Sequence, residues 1–170
     1  ILADAGRLPR VLVCIPYSLT TRGREGLSDS SILYWKNYIA KFPYSIYALL
    51  RGKIFGDSQI TRPYIRFEKT EKNYENAKCI FSSLKEVWNY KRVLIVEGRQ
   101  SRLGVGNDLF VKAQIVRRIL CPEKNAWSRY NEILSTTLSV SSEYDVILIA
   151  LGPTATVLAY DLGKQGLWAI

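Results

Sequence analysis

The second half of the chain alternates short apolar runs with segments of helical character, and this alternation constrains the fold more than any other feature. The apolar or largely apolar runs cover residues 93–96, 116–120, 146–151 and 167–170. The segments that predict helices cover residues 108–114, 124–140 and 154–164. Short apolar runs are typical of buried strands. The alternation therefore predicts an α/β fold, a Rossmann-like, mainly parallel sheet with helices on both faces.

The first half of the chain is less regular. An apolar run at residues 11–15 predicts a buried strand, and residues 29–41 and 71–88 predict amphipathic helices. Residues 55–65 mix turn residues with a proline and predict a loop or an edge segment. We interpret residues 1–170 as a single Rossmann-like domain. Because the chain starts without Met and stops inside an apolar run, we expect it to be truncated at both ends.

Composition excludes several kinds of chemistry. The chain has no histidine, and its three cysteines, Cys14, Cys79 and Cys121, are far apart in the sequence. This composition argues against a zinc site and against Ser-His-Asp or Cys-His catalysis. A general base would be an Asp or Glu, or less readily a Lys or Tyr. We expect Cys14 and Cys121 to be buried in the core, since both belong to apolar runs.

The formal net charge is +9, and the basic residues are dispersed along the chain rather than gathered in a tail. A basic balance favours partners that carry phosphate groups, although dispersed basic residues are also typical of an ordinary solvated surface. No apolar run is long enough to cross a membrane, and residues 1–10 lack the apolar segment of a signal peptide. We therefore expect a cytoplasmic protein without a membrane span.

The loop after the predicted strand at 93–96 carries acidic and basic side chains. It begins with Glu97 and extends to Asp108, at the edge where open α/β sheets bind ligands. Glu97 and Asp108 are the candidates for a catalytic base or for a group that orients the substrate. Arg102 is a candidate for neutralising a phosphate group.

Glycines in the same loop would allow a ligand to approach the backbone closely. Gly104 and Gly106 tolerate positive φ, and Asn107 or Asp108 is expected to cap the helix predicted to follow. Their spacing differs from the GxGxxG pattern of dinucleotide-binding loops, so the loop does not predict NAD binding. A glycine-rich turn with a capping asparagine is the alternative interpretation.

The loop after residues 146–151 predicts an anion site. Gly152 and Pro153 form a helix start, because proline suits the first helical turn. The exposed N–H groups of such a start bind anions, and Thr154 adds a hydroxyl. A plain strand-to-helix turn is the alternative interpretation.

Three further residues are weaker candidates for substrate contacts. Asp57 and Arg62 belong to the polar segment at 55–65, where a surface ion pair is an equally good interpretation. Asn125 belongs to residues 121–126, a segment that follows the predicted strand at 116–120 and is a candidate for contacting a nucleobase. Three tryptophans at helical spacing are expected in the core rather than in a stacking site: Trp35, Trp88 and Trp127.

Four segments carry a resemblance to a known family. They are VLIVEGRQSRLGVGNDLF (93–110), RRILCPEKNAW (117–127), DVILIALGPTATVLAYDLGKQG (145–166) and FGDSQITRPYI (55–65). Together they resemble the GT-D fold glycosyltransferases, a bacterial family formerly described as a domain of unknown function. The similarity extends from about residue 10 through most of the chain.

The resemblance implies transfer of a sugar, often glucose from UDP-glucose, onto a glycan or glycoprotein acceptor. It also implies a divalent metal, typically Mn²⁺, held by an Asp-x-Glu motif in an Arg-Phe-Gly-Asp-Gly-Glu-like segment that this chain lacks. We therefore expect nucleotide-sugar contacts without a complete metal site, and we assign no metal ligand. We expect no nucleic-acid partner.

Other classes of protein share single features with this chain. Val96-Glu97-Gly98 after an apolar strand also resembles the start of a Toprim domain, which needs a second strand that ends in Asp-x-Asp. Here the corresponding strand ends Ala150-Leu151-Gly152, without that pair. The glycines are too widely spaced for a methyltransferase loop. A nucleotide- or nucleic-acid-binding module without catalysis is the remaining alternative.

Overall fold

The computed structural model describes residues 5, 8, 11–20, 22–50, 54–61 and 69–170. The chain divides into two compact units, Leu2–Leu84 and Lys85–Ile170. Both contain parallel strands accompanied by helices, which confirms the α/β fold class. The interpretation as a single domain stays a prediction. In the described part of the chain, no helix is long and apolar enough to cross a membrane.

The first unit contains a short pair of parallel strands and most of the helical residues in the first half of the chain. Strand β1 (Cys14–Ile15) pairs with strand β2 (Gly56–Asp57). Strand β1 is shorter than residues 11–15, and Cys14 is exposed, so the expectation that its thiol is buried was wrong. Side chains alternate along a strand, and here Ile15 is the residue that turns inward.

The first half of the chain also forms three helices, α1 (Asp29–Lys41) and α2 (Pro43–Leu50) between the two strands and α3 (Glu71–Lys85) after β2. The helices predicted at 29–41 and 71–88 are confirmed, the second with an earlier end. Pro43 follows the end of α1 and begins α2, since a proline lacks an N–H group but fits the first turn of a helix.

The second unit is built on three parallel strands, all of them expected from the sequence. They are β3 (Arg92–Gly98), β4 (Ile115–Cys121) and β5 (Val146–Ala150), in the order β4-β3-β5. Ala169 pairs in parallel with Ile147 on the outer side of β5, as the apolar run at 167–170 predicts. The chain leaves β3 for β4 on one side and later returns to β5 on the other side.

The core lies between this sheet and two helices, α4 (Tyr130–Val140) and α5 (Pro153–Lys164). Leu94 of β3 and the α5 residues Leu158 and Leu162 are fully buried within it. Each such leucine contributes about 1.5–3 kcal/mol through the apolar surface that it removes from water. Residues on the opposite face of β3, including Glu97, are buried as well, so β3 is the central strand that its apolar run predicts.

The helix predicted at residues 108–114 was wrong, because this segment forms a series of turns. Its backbone groups bond to partners outside any helix. The carbonyl of Leu109 accepts from Trp88 Nε1 at 2.8 Å, and the carbonyl of Lys112 accepts from the Tyr90 N–H at 2.8 Å. Asn107 Oδ1 accepts from the Leu109 N–H at 3.0 Å and so closes a turn rather than capping a helix.

Candidate functional site

A cleft of about 570 Å³ opens at the carboxyl edge of the β4-β3-β5 sheet. Its walls are Gly98, Gln100 and Ser101 at and after the end of β3, residues within 122–127 after β4, and residues 150–154 at and after the end of β5. Because β4 and β5, which follow β3 in the chain, lie on opposite sides of it, this edge is a topological switch point, the place where open α/β sheets bind ligands. The size is that of an ordinary small-molecule site.

One wall of the cleft is the start of helix α5. Gly152 has φ 55° and ψ −139°, a conformation that suits glycine, and Pro153 occupies the first turn of the helix. Thr154 follows in the same turn and lines the cleft. The start of a helix carries the positive end of its dipole. Pro153 has no N–H group, and the Ala155 N–H donates to the Gly152 carbonyl at 3.0 Å. The structure thus places the three predicted residues Gly152, Pro153 and Thr154 together in the lining of the cleft at the first turn of α5, and anion binding there stays a prediction.

The opposite wall is the loop after β4. Cys121 at the end of β4 is buried as expected, and burial raises the pKa of its thiol. Asn125 adopts φ 50°, and its carbonyl accepts hydrogen bonds from the N–H and the hydroxyl of Ser128 at 3.1 and 2.9 Å. This turn holds the exposed side chains of Glu123 and Asn125 at the cleft.

Trp127 also lines the cleft and is 55% exposed, so the expectation that it belongs to the core was wrong. The α-helix begins only at Tyr130, after a 3-10 turn at Ala126–Arg129. Because a 3-10 turn has about three residues per turn rather than 3.6, Trp127 is rotated away from the buried stripe of α4. Trp88, by contrast, is buried as expected.

The Trp127 ring is in contact with Tyr130, which is part of a short chain of polar contacts. Its centroid lies 4.9 Å from that of Tyr130, whose hydroxyl donates to Asp161 Oδ2 at 2.5 Å. Lys164 Nζ lies 2.7 Å from Asp161 Oδ1. Burial, then the Asp161 contact, raises the pKa of Tyr130, while Lys164 and then Tyr130 lower the pKa of Asp161. The phenol therefore remains a donor and the carboxylate an acceptor at neutral pH.

Glu97 lies beneath the cleft rather than in its lining. Its side chain is 1% exposed and forms an ion pair between Oε1 and Arg118 Nη1. Its other oxygen accepts from the Leu103 N–H at 2.8 Å, and Arg118 Nη2 donates to the Leu103 carbonyl at 2.6 Å. Both carboxylate oxygens thus bond to the protein, and the pair holds the start of the loop against β4.

The other predicted residues of this loop lie outside the cleft lining. Asp108 is exposed and pairs with Lys85 at 2.6 Å, and this contact lowers the pKa of the Asp108 carboxyl. Gly104 has φ 72° and packs against the Phe110 ring. The loop residues that the structure does not bring to the cleft are Arg102, Gly104, Gly106, Asn107 and Asp108. Their roles, and the catalytic role of Glu97, stay predictions.

The two remaining candidates, Asp57 and Arg62, belong to the first unit. Asp57 lies at the end of β2, where its Oδ1 accepts from the N–H groups of Tyr17 at 3.3 Å and Gln59 at 2.9 Å. Arg62 lies outside the described residues. Substrate binding by either residue stays a prediction.

The charge of the cleft is unlike that of the whole chain. Within residues 69–170, all of which are described, none of the side chains that line the cleft is a Lys or an Arg. Glu123 is the charged side chain among them. Over the described residues as a whole, no three His, Cys, Asp or Glu side chains are grouped so that they could hold a metal ion.

Among the cleft residues with polar or aromatic side chains, the sequence did not single out Gln100, Ser101 or Trp127, and it included Glu123 only within the candidate segment 121–126. Gln100, Ser101 and Glu123 lie within three residues of the end of a strand. Distance from the strand end was therefore the signal that could have found them. Trp127 carried no such signal, because its exposure depends on the 3-10 turn.

Comparison with known proteins gives two relatives among curated proteins. The glycosyltransferase GlyD of Streptococcus pneumoniae is 38% identical over 156 residues, which are 92% of this chain and 18% of the relative. The probable glycosyl transferase Gly of Streptococcus gordonii is 37% identical over 162 residues, which are 95% of this chain and 23% of the relative. The chain thus spans about a fifth of the length of these relatives.

Solved structures show the same similarity. A domain of unknown function 1792, described as having a distinct glycosyltransferase fold, superposes with a TM-score of 0.85 at 38% identity, over 94% of this chain and 55% of that one. A glycosyltransferase from Streptococcus sanguinis gives a TM-score of 0.83 at 38% identity, over 94% of this chain and 57% of that one. The family profile described as the glycosyltransferase GT-D fold matches residues 6–170. This chain therefore belongs to the GT-D fold glycosyltransferase family.

Proposed function

We propose that the chain forms the nucleotide-sugar-binding part of a glycosyltransferase that transfers a sugar to a glycan or glycoprotein acceptor. Glucose, with UDP-glucose as the donor, is the first sugar to test. The observation that carries the proposal is the cleft at the switch point of the sheet, with the start of helix α5 as one wall. Membership of the family supports the type of reaction.

In this proposal the diphosphate of the donor lies at the start of α5. The N-terminus of a helix carries roughly half a positive charge. In the first turn of α5, Pro153 has no N–H group and the Ala155 N–H donates to the Gly152 carbonyl at 3.0 Å, so the backbone donor that we assign to the diphosphate is the N–H group of Thr154. A side chain at Gly152 would meet no atom within 4 Å, so a ligand has room to approach the backbone there. The hydroxyl of Thr154 adds a hydrogen-bond donor in the same turn.

A divalent metal such as Mn²⁺ is part of the proposal, since a metal would offset the charge of the leaving diphosphate. The described residues do not fit its usual ligand set, because they offer no group of three metal-ligating side chains. In the described part of the chain, Glu123 is the carboxylate that lines the cleft, and the structure shows no second metal-ligating side chain beside it there. We therefore assign no metal ligand and derive no step through the metal.

A nucleic-acid-binding module is the alternative that the net charge of +9 favours. Binding to a phosphate backbone depends on Lys and Arg. The described lining of the cleft contains neither residue, so the cleft suits one diphosphate better than a strand of phosphates.

A cytoplasmic location completes the proposal and is supported by the free thiols of Cys14, Cys79 and Cys121.

Thermal unfolding with UDP and UDP-glucose, each with and without MnCl₂, tests the donor site. A ligand at ten times its Kd should raise Tm by roughly 3–6 °C. Release of UDP from UDP-glucose in the presence of a glycan acceptor then tests transfer. If no nucleoside diphosphate stabilises the protein at millimolar concentration, the donor site is refuted. Salt-dependent binding of single-stranded DNA would instead favour the alternative.

A further inference from the structure

The loop after β4 contributes groups to the cleft that diphosphate binding does not explain. Glu123 is a carboxylate, which would repel a diphosphate, and Trp127 presents a largely exposed indole. Both lie on the wall opposite the start of α5. Their chemistry therefore points to a different part of the ligand, one that is uncharged and partly aromatic.

Glu123 occupies a position that suits a ribose. Glu123 follows Cys121, the last residue of β4, by two positions, and β3 separates β4 from β5, the strand that leads to the proposed diphosphate site. The exposed Glu123 carboxylate therefore lines the same cleft two strands away from the start of α5, where the part of the ligand beyond the diphosphate would lie. An ionised carboxylate is an acceptor only, which matches two neighbouring hydroxyl donors.

Trp127 has the properties of a stacking platform. Its ring is exposed at the cleft, and Tyr130 packs against it at a centroid distance of 4.9 Å. Tyr130 is in turn bonded to Asp161, which Lys164 also contacts. Because these contacts restrict the indole before a ligand arrives, less side-chain entropy remains to be lost on binding. Nucleobases stack on such rings whatever their sequence identity.

We propose that residues 123–127 form the nucleoside subsite of the cleft. Glu123 accepts hydrogen bonds from the ribose hydroxyls, and Trp127 stacks on the base. Asn125, whose amide lies between them in the sequence, remains the candidate for the polar edge of the base. This assignment rests on the proposed function, because the diphosphate at the start of α5 sets the direction in which the nucleoside extends.

Calorimetric titration with UDP, UMP and pyrophosphate, in buffer with MnCl₂, separates the two halves of the cleft. Replacing the indole by a methyl group, Trp127→Ala, should lower the affinity for UDP and UMP roughly tenfold, because base stacking is lost. The affinity for pyrophosphate should stay unchanged. Trp127→Phe should keep most of the affinity for UDP. Trp168→Ala is the matched control, since Trp168 is also exposed but packs on Lys91 away from the cleft.

A second titration compares UDP with 2′-deoxy-UDP. The unaltered protein should bind UDP more tightly by roughly tenfold, the effect of a hydrogen bond to a charged group. Glu123→Gln should remove most of this preference without changing the affinity for pyrophosphate. Glu143→Gln is the control, because Glu143 precedes β5 at the opposite edge of the sheet.

The possible results separate this assignment from the proposal on which it rests. If the unaltered protein binds neither UDP nor pyrophosphate, the donor site itself is refuted and the nucleoside subsite with it. If UDP binds the Trp127→Ala and Glu123→Gln variants as tightly as the unaltered protein, the subsite is overturned and the donor site stands. Equal losses for UDP and pyrophosphate in Trp127→Ala would also overturn it, since a stacking platform acts on the base alone.

Discussion

The loops at the carboxyl edge of the second unit differ in how they use their polar groups. The connection between β3 and β4 carries the most charge, yet Glu97 bonds to Arg118 and Leu103, and Asp108 bonds to Lys85. The turns after β4 and β5 carry little charge, yet their side chains form most of the cleft. A charged, glycine-containing loop is thus not by itself the better candidate for the ligand site.

Length explains the difference. The connection at residues 99–114 forms neither helix nor strand, so its shape has to be fixed by side-chain contacts. The turn after β5 leads directly into α5, and the turn after β4 leads into a 3-10 turn and α4. Because regular structure holds these two turns, their side chains remain available at the cleft. Four experiments test this contrast.

The largest expected effect comes from breaking the buried pair. Arg118→Ala leaves the carboxylate of Glu97 buried without its partner, so it should lower the free energy of unfolding by about 3 kcal/mol or more. Arg117→Ala is the matched control on the same strand, because Arg117 is 56% exposed and lies 3.8 Å from Glu143. Urea denaturation measures both. Similar losses of stability for the two variants would show that this pair does not hold the connection between β3 and β4.

A smaller loss of stability is expected when a side chain is added within the connection between β3 and β4. A Cβ at Gly104 would lie 2.4 Å from the Phe110 ring, and φ there is 72°. Gly104→Ala should therefore destabilise the protein by about 2–3 kcal/mol, the sum of backbone strain and ring displacement. At Gly106, φ is 81° and a Cβ meets nothing within 4 Å. Gly106→Ala should show the strain alone, and equal losses by chemical denaturation would contradict a packed loop.

The strands and most helices could be predicted from the sequence because their signals are local. Apolar runs such as Val93–Val96 require burial, and helix starts such as Pro153 require specific backbone angles. The helix predicted at 108–114 failed for the opposite reason. The bonds that exclude it come from Trp88 and Tyr90, which are distant in sequence, and no local pattern reports such partners.

Within the candidate site, the same distinction separates what could be predicted from what could not. The turn at Gly152–Thr154 was found because proline and glycine fix its geometry locally. The exposure of Trp127 depends on a 3-10 turn, and the burial of Glu97 depends on Arg118 in the next strand. Side-chain roles set by neighbouring strands need the register, which only the structure supplies.

In the turn between β5 and α5, which lines the cleft, a substitution is expected to weaken ligand binding moderately and to change stability little. Thr154→Ala removes a hydroxyl at the start of α5, so the Kd for pyrophosphate should rise roughly fivefold, as for the loss of one hydrogen bond. Thr156→Ala is the control, since Thr156 is exposed on the same helix and lies outside the cleft lining. Calorimetry measures both variants. A loss in both, or in neither, would remove Thr154 from the phosphate site.

The smallest effect concerns an exposed ion pair at the opposite end of β3. The side chain of Asp145 bonds to Arg92 at 2.9 Å, and this contact holds the pKa of the Asp145 carboxyl at about 2, below its ordinary value of 3.8. A lowered pKa in the folded protein means that the pair stabilises it above about pH 4 and that this contribution is lost as the pH falls towards 2.

Asp145→Asn should therefore make stability less dependent on pH between 4 and 2. Asp108→Asn, which removes the exposed Lys85 contact, is the comparison. If urea denaturation at several pH values shows the same slope for Asp145→Asn as for the unaltered protein, the Arg92 contact does not persist in solution, and burial alone would then distinguish the pairs that hold this unit together.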